Sequence, residues 1–187
     1  MGGKLRGVLQ QVVVAAAAWA ITSGGALGAW LAPCTTARLV ASWKHDGLWR
    51  TAAIADQKHG GHQVRYLGKL HAGSRVYKAY YDVNDDPTME SPQGHQDIVV
   101  TTARGKFLGL YDVDSAPPVR TEGADILFDA KGKSGDRIQF GVNGPPEQVF
   151  VVSDLFHFNT PAEYRKDFPN EKTWPEPSPR IARYCRR

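Results

Sequence analysis

Four histidines lie in segments predicted to be loops or turns, where their imidazole rings could act together. Neutral imidazole binds zinc and related metals well, and it is the usual general base near neutral pH. The six histidines of the chain show no His-x-x-x-His or His-Glu-x-x-His spacing, so the fold would have to gather them from separate loops. The candidate metal ligands are His59, His62, His71 and His95, and no other cofactor is indicated.

Carboxylates are the other group with potential chemistry. Four aspartates alternate with apolar neighbours, so a strand pattern predicts that they face solvent: Asp97, Asp112, Asp125 and Asp129. Spacing cannot show whether carboxylates on neighbouring strands meet as an acid–base pair. An alternative is a loose calcium site formed by Asp82, Asp85, Asp86 and Glu90. The chain has no Gly-x-Ser-x-Gly nucleophile elbow, and the sequence identifies no catalytic residue.

The element that must position these residues is a β-sheet. From Gln96 to Phe158, β-branched and aromatic residues recur on a two-residue period between turns of Gly, Pro, Asp and Ser, which favours strands over helices. A further hairpin precedes this stretch. The predicted strands are Val64–Leu70, Tyr77–Val83, Ile98–Thr102, Phe107–Val113, Ala124–Phe128, Ile138–Val142, Val149–Val152 and Leu155–Phe158. About eight strands without long intervening helices predict an antiparallel β-sandwich or small β-barrel over residues 62–158.

Short helical segments flank the predicted β-domain. In residues 30–61, Leu39, Val40 and Trp43 have the spacing of one helix face, although the run is short and otherwise irregular. After the last strand, Thr160-Pro161-Ala162-Glu163 has the spacing of a capping box, which predicts a short helix from Pro161 to about Asp167. The rest of residues 159–187 is a Pro-rich arm that cannot pair as a central strand.

The first 29 residues have the pattern of a secretory signal peptide. Lys4 and Arg6 precede an apolar run over Val8–Ile21, and small residues follow, with cleavage predicted after Gly28 or Ala29. An uncleaved membrane anchor over Val12–Leu31 is the alternative, because 20 residues of helix span about 30 Å. Export to the periplasm or the extracellular space follows from the first interpretation, and membrane anchoring from the second.

Two cysteines, Cys34 and Cys185, lie near opposite ends of the predicted mature chain. An even pair in an exported protein predicts one disulfide, which would fasten the Pro-rich arm to the start of the domain. Leu31-Ala32-Pro33-Cys34 also resembles the bacterial lipoprotein box in its leucine, alanine and cysteine, although Pro33 departs from it. Lipidation of Cys34 and the disulfide exclude each other.

One short motif resembles a known family. Gly47-x-Trp49 near the start of a β-domain is similar to the opening signature of lipocalins, and it covers three residues. The resemblance implies a barrel that holds a small ligand, which is one of the function classes carried forward. Without the resemblance, Trp49 is a core aromatic.

Size and charge limit the remaining function classes. The 187 residues fit one domain, and removing Lys4 and Arg6 from the 23 basic residues leaves 21 against 19 acidic ones, a net charge of +2. This balance does not indicate a nucleic-acid partner. The leading prediction is an exported, non-catalytic binding or accessory module for a protein partner or membrane-associated complex. The alternatives are a secreted enzyme that uses His/Asp chemistry, with or without a metal, and a β-barrel that carries a small ligand.

Overall fold

A computed structural model describes residues 28–48, 62–84, 95–113, 117–128 and 136–167, together with Cys185. Several predictions fall outside these ranges: the signal peptide over residues 1–27, the motif residue Trp49, His59, Asp129 and most of the Pro-rich arm. Among the described residues, no helix has both the length and the apolar character needed to cross a bilayer.

The centre of the protein is an antiparallel sheet of six strands in the order β1-β2-β3-β4-β9-β8. The first four strands form a meander joined by two turns and the segment between Asn84 and His95. The strand bounds are β1 His62–Ala72, β2 Arg75–Asn84, β3 His95–Thr102, β4 Phe107–Asp112, β8 Gln148–Val151 and β9 Asp154–Asn159. The predicted antiparallel, mainly β fold is therefore present.

A second antiparallel sheet contains β5 Arg120–Glu122, β6 Asp125–Leu127 and β7 Arg137–Gln139. Sequence analysis missed β5, because Arg-Thr-Glu has no apolar alternation. The second sheet contributes Ile126 and Ile138 to a core that also contains Ile98 and Val100 of the central sheet. One face of the central sheet is therefore buried against the small sheet.

Helix α1, Pro33–His45, covers the opposite face of the central sheet. Its buried residues Val40 and Trp43 pack with Val99 and Leu110, and the Trp43 ring meets that of Tyr80 at 5.2 Å in an edge arrangement. Pro33 suits the first helical turn, where its missing N–H leaves no hydrogen bond unmade. The predicted short helical segment is present, and it buries the face that carries Val99.

Helix α2, Pro161–Asp167, has the predicted bounds and the predicted capping box. The Thr160 backbone N–H donates to Glu163 Oε2 at 2.9 Å, and Glu163 N–H donates to Thr160 Oγ1 at 3.3 Å. The hydrogen bonds from Thr160 lower the pKa of Glu163, because they favour its charged form. The local sequence alone therefore sets this helix start.

Cys34 and Cys185 lie at disulfide distance, with their Cα atoms 5.4 Å apart. The Arg38 guanidinium, one turn further along α1, donates to the Cys185 carbonyl oxygen at 2.8 Å. The bond joins the start of α1 to the end of the chain across 151 residues. A bonded pair of this kind fits an oxidising compartment.

Candidate functional site

A buried histidine–aspartate pair lies at one end of the central sheet. His62 Nδ1 and Asp82 Oδ2 are 2.7 Å apart, and the two side chains are 0% and 1% exposed. When the proton is on Nδ1, His62 donates to the carboxylate and Nε2 keeps its lone pair. Within the described part of the chain, neither His62 Nε2 nor Asp82 Oδ1 has a hydrogen-bond partner. The pair therefore has the geometry of an oriented general base, with Nε2 buried.

A bulge in β1 brings these two residues onto the same face. The register between β1 and β2 shifts between Tyr66 and Gly68, so Asp82 pairs with Val64. An unbroken register from the turn would pair Asp82 with Arg65 and would place His62 on the opposite face, because side chains alternate along a strand. One inserted residue therefore creates the pair.

The β5 strand supports this bulge. The Thr121 hydroxyl donates to the Leu67 carbonyl oxygen at 3.2 Å. Gly68 has a φ of +143°, and a Cβ atom there would lie 2.0 Å from Thr121 Oγ1. Glycine is therefore required at this position, both for its backbone conformation and for the close approach of β5.

Three aspartates form a row across neighbouring strands on the same face. Asp82 of β2 is opposite Asp97 of β3, which is in turn opposite Asp112 of β4. Opposed residues of this kind have Cβ atoms about 5 Å apart. Burial lowers the pKa of the nearby Lys44 ammonium, and the negative charge of Asp82 partly offsets that effect. The row, Lys44 and His62 make a buried polar cluster beside the core beneath α1.

The prediction that Asp97 faces solvent is wrong, because Asp97 is 0% exposed. The reason is α1, which covers the face that the strand pattern assigned to solvent. Asp112 is half-buried, and Asp125 is half-buried in an ion pair with Arg137 at 3.5 Å. The run Ile98-Val99-Val100 contained a signal for this, since apolar residues on both faces indicate a strand covered on both sides.

The described histidines among the metal candidates do not gather at one point. His62 and His95 both pair with Asn84, so they lie in one row but two strands apart, about 10 Å. His71 is nine residues further along β1, about 30 Å from His62. No group of three or more His, Cys, Asp or Glu among the residues that the structure describes could hold a metal ion. A site that includes His59 stays a prediction.

A second candidate site is an exposed apolar face on the hairpin formed by β8 and β9. Phe150 and Leu155 are directly opposed in the register and are 71% and 52% exposed, and Val152 at the turn is 43% exposed. We call these three residues the apolar hairpin face. The other side of the same hairpin buries Val151 and Phe156 in the core between the sheets. Core packing therefore holds the hairpin while it presents large apolar side chains to water.

Sequence analysis placed both strands of this hairpin but did not predict its apolar face. The available signal was the alternation itself: His157 was correctly expected to face outward, and Leu155 and Phe150 share its side. Exposed apolar patches of this kind mark interaction surfaces more often than chance. The apolar hairpin face is thus the clearest binding surface in the described residues.

No protein-family model, no curated protein and no solved structure matches this chain. A functional conclusion therefore rests on the two sites, because fold alone does not fix function.

Proposed function

We propose that this chain is an exported, non-catalytic binding module that attaches to a protein partner or membrane-associated complex through the apolar hairpin face. The observation that carries the proposal is the exposure of Phe150 and Leu155, which lie side by side on a hairpin fixed by its opposite face. Aromatic and aliphatic side chains of this type form the energetic centres of protein interfaces.

The finer architecture belongs to the same proposal. We infer that the two sheets form a sandwich, which the shared core containing Ile126, Ile138 and Ile98 supports. A sandwich holds its binding residues on the outside, whereas a ligand-carrying barrel would hold them inside. Exposure of the apolar hairpin face therefore favours the binding module over the barrel alternative.

Export is supported by the bond between Cys34 and Cys185, since structural disulfides persist in oxidising compartments. Intact-mass measurement of protein from its natural compartment tests this part. We expect a mass that lacks 28 or 29 leading residues, corresponding to cleavage after Gly28 or Ala29, and a gain of two protons on reduction. A full-length mass would indicate the membrane anchor, and an acyl adduct on Cys34 would contradict the disulfide.

Native size in detergent-solubilised extracts tests the binding part. We expect the wild-type chain to migrate in an assembly well above its own 20.5 kDa and the F150S/L155S double variant to migrate as the free chain. V142S is the matched control, because Val142 is an equally exposed apolar residue, at 69%, outside the hairpin. Release of the chain by V142S as well, or retention of the double variant, would contradict the proposal.

A second candidate function, a secreted enzyme with His/Asp chemistry, is favoured by the 2.7 Å contact between His62 and Asp82. An aspartate that holds the histidine proton on Nδ1 orients Nε2 as a general base. The test is hydrolysis of a panel of ester, amide and phosphoester substrates. Turnover that is lost in H62A but kept in H157A, whose histidine is exposed, would establish this function.

A further inference from the structure

The β8 strand has an unpaired edge whose backbone groups have a defined direction. Val152 and Ser153 have positive φ values of 50° and 69°, as in a two-residue primed turn, so Val151 and Asp154 close the hairpin with a hydrogen-bonded pair. The alternation continues to Glu147, whose carbonyl oxygen accepts from Phe158 N–H at 2.8 Å. Gln148 and Phe150 therefore direct their N–H and C=O groups away from β9.

Within the described residues, no strand pairs with that edge, since β8 is last in the strand order. The opposite edge of the sheet is different. There, Trp30 forms a bridge with Arg65, Leu31 N–H donates to the Val64 carbonyl oxygen at 2.8 Å, and His71 N–H donates to the Gly123 carbonyl oxygen. The chain covers the β1 edge with its own residues and leaves the β8 edge open.

The β8 edge also lacks the features that normally prevent strand addition. Natural edges are protected by lysine, proline, bulges or inward charges, yet Gln148–Val151 contains no charge and no proline. Phe150 stands beside the open edge and is 71% exposed. An incoming strand would gain backbone hydrogen bonds from Gln148 and Phe150, and its apolar side chains would contact the Phe150 ring.

Charges around the edge indicate what an incoming strand should carry. Glu147 directly precedes β8 and is exposed, Asp154 is opposite Val151, and Asp136 Oδ1 accepts from Val152 N–H at 3.2 Å. The nearest basic side chain in sequence, Arg137, is engaged with Asp125. Acidic groups therefore flank both ends of an uncharged edge, so basic residues at the ends of a bound segment would be attracted.

We infer that β8 is a strand-addition site for an extended segment of a partner protein with apolar residues at alternate positions and basic residues at its ends. This inference rests on the proposed binding function and specifies its mode and partner. A second copy is the less suitable occupant, since the four residues of β8 cannot bury the roughly 1,200 Å² typical of a stable dimer.

Backbone amide exchange measured by NMR tests the inference. The probe is a short synthetic peptide with valine at alternate positions, threonine between them and a lysine at each end. We expect exchange at Gln148 and Phe150 to slow by about tenfold or more when the peptide is saturating, because both amides gain a partner. Exchange at Val149 and Val151 should not change, since those amides already face β9.

Three matched comparisons separate strand addition from other binding. N-methylation of the peptide on the edge that faces β8 should abolish binding, replacement of its lysines by glutamates should weaken binding at least about tenfold, and F150S should weaken binding while V142S does not. Equal binding of the N-methylated peptide would overturn strand addition but leave the proposed function standing. Absence of slowed exchange at millimolar peptide would also overturn strand addition. Slowed exchange that grows with protein concentration alone would make a second copy the occupant and overturn the assignment of a partner.

Discussion

Attachment of the apolar hairpin face to the central sheet depends on one glycine, Gly109 in β4. A Cβ atom at this position would lie 2.5 Å from the Asn159 carbonyl oxygen and 2.7 Å from Phe158 Cζ, both atoms of β9. Only two residue pairs join β4 to β9, Leu110 with Asn159 and Tyr111 with Phe158. Gly109→Ala should therefore push β9 away from β4 and loosen the hairpin.

The sign of this effect is informative. In a strand without a clash, alanine in place of glycine stabilises the fold by about 0.4 to 1 kcal/mol, because it restricts the unfolded chain. Overpacking against a backbone oxygen should reverse this and lower the free energy of unfolding by about 1 to 3 kcal/mol. Gly141→Ala is the control, since the nearest atom to its Cβ would be Asn143 N at 4.0 Å.

Urea unfolding followed by tryptophan fluorescence measures both variants, with the buried Trp43 as a reporter of the core beneath α1. We expect G109A to unfold at a lower urea concentration than wild type and G141A at an equal or higher one. Amide exchange should accelerate at Phe158 in G109A. A G109A variant as stable as wild type would refute the described contact between β4 and β9.

Other predictions concern the buried pair, the disulfide and the helix cap. Asp82→Ala leaves His62 buried without its partner and should lower the free energy of unfolding by about 3 to 5 kcal/mol, whereas Asp82→Asn keeps a hydrogen-bond acceptor and should cost less; equal losses by urea unfolding would contradict the described contact. C34A/C185A opens a 151-residue loop and should cost up to about 5 kcal/mol by the same assay, and an unchanged midpoint would contradict the bond. The lowered pKa of Glu163 means that its cap contributes stability above the ordinary glutamate pKa and loses it as pH falls through the folded-state pKa. Thr160→Ala should therefore cost about 1 kcal/mol at neutral pH and less at acidic pH, and a cost independent of pH would contradict this assignment.

The sequence predicted the strands well because most of them alternate on a two-residue period, and it predicted α2 because Thr160 and Glu163 satisfy each other locally. It did not predict the pairing of His62 with Asp82. That contact depends on the bulge between Tyr66 and Gly68, and the bulge depends on Thr121 in a strand that the pattern missed. A one-residue register shift reverses which face every later side chain occupies, so the pairing could not be read from spacing.

The binding site illustrates the same limit. Alternation assigned Phe150 to one side of its strand, but only the three-dimensional arrangement shows which side is left uncovered. Burial of Val151 and Phe156 between the sheets leaves the other side of the hairpin for Phe150 and Leu155. The open edge of β8 follows from strand order, which is a non-local property.

Site-specific photocrosslinking in the natural host tests the binding role of the apolar hairpin face most directly. A photoreactive phenylalanine analogue replaces Phe150 in one chain and Val142 in another, since both positions are exposed to a similar extent. We predict one discrete adduct with a protein partner from position 150 and none from position 142. Position 150 giving no adduct, or both positions giving the same adducts, would contradict the assignment of the β8–β9 hairpin as the binding surface.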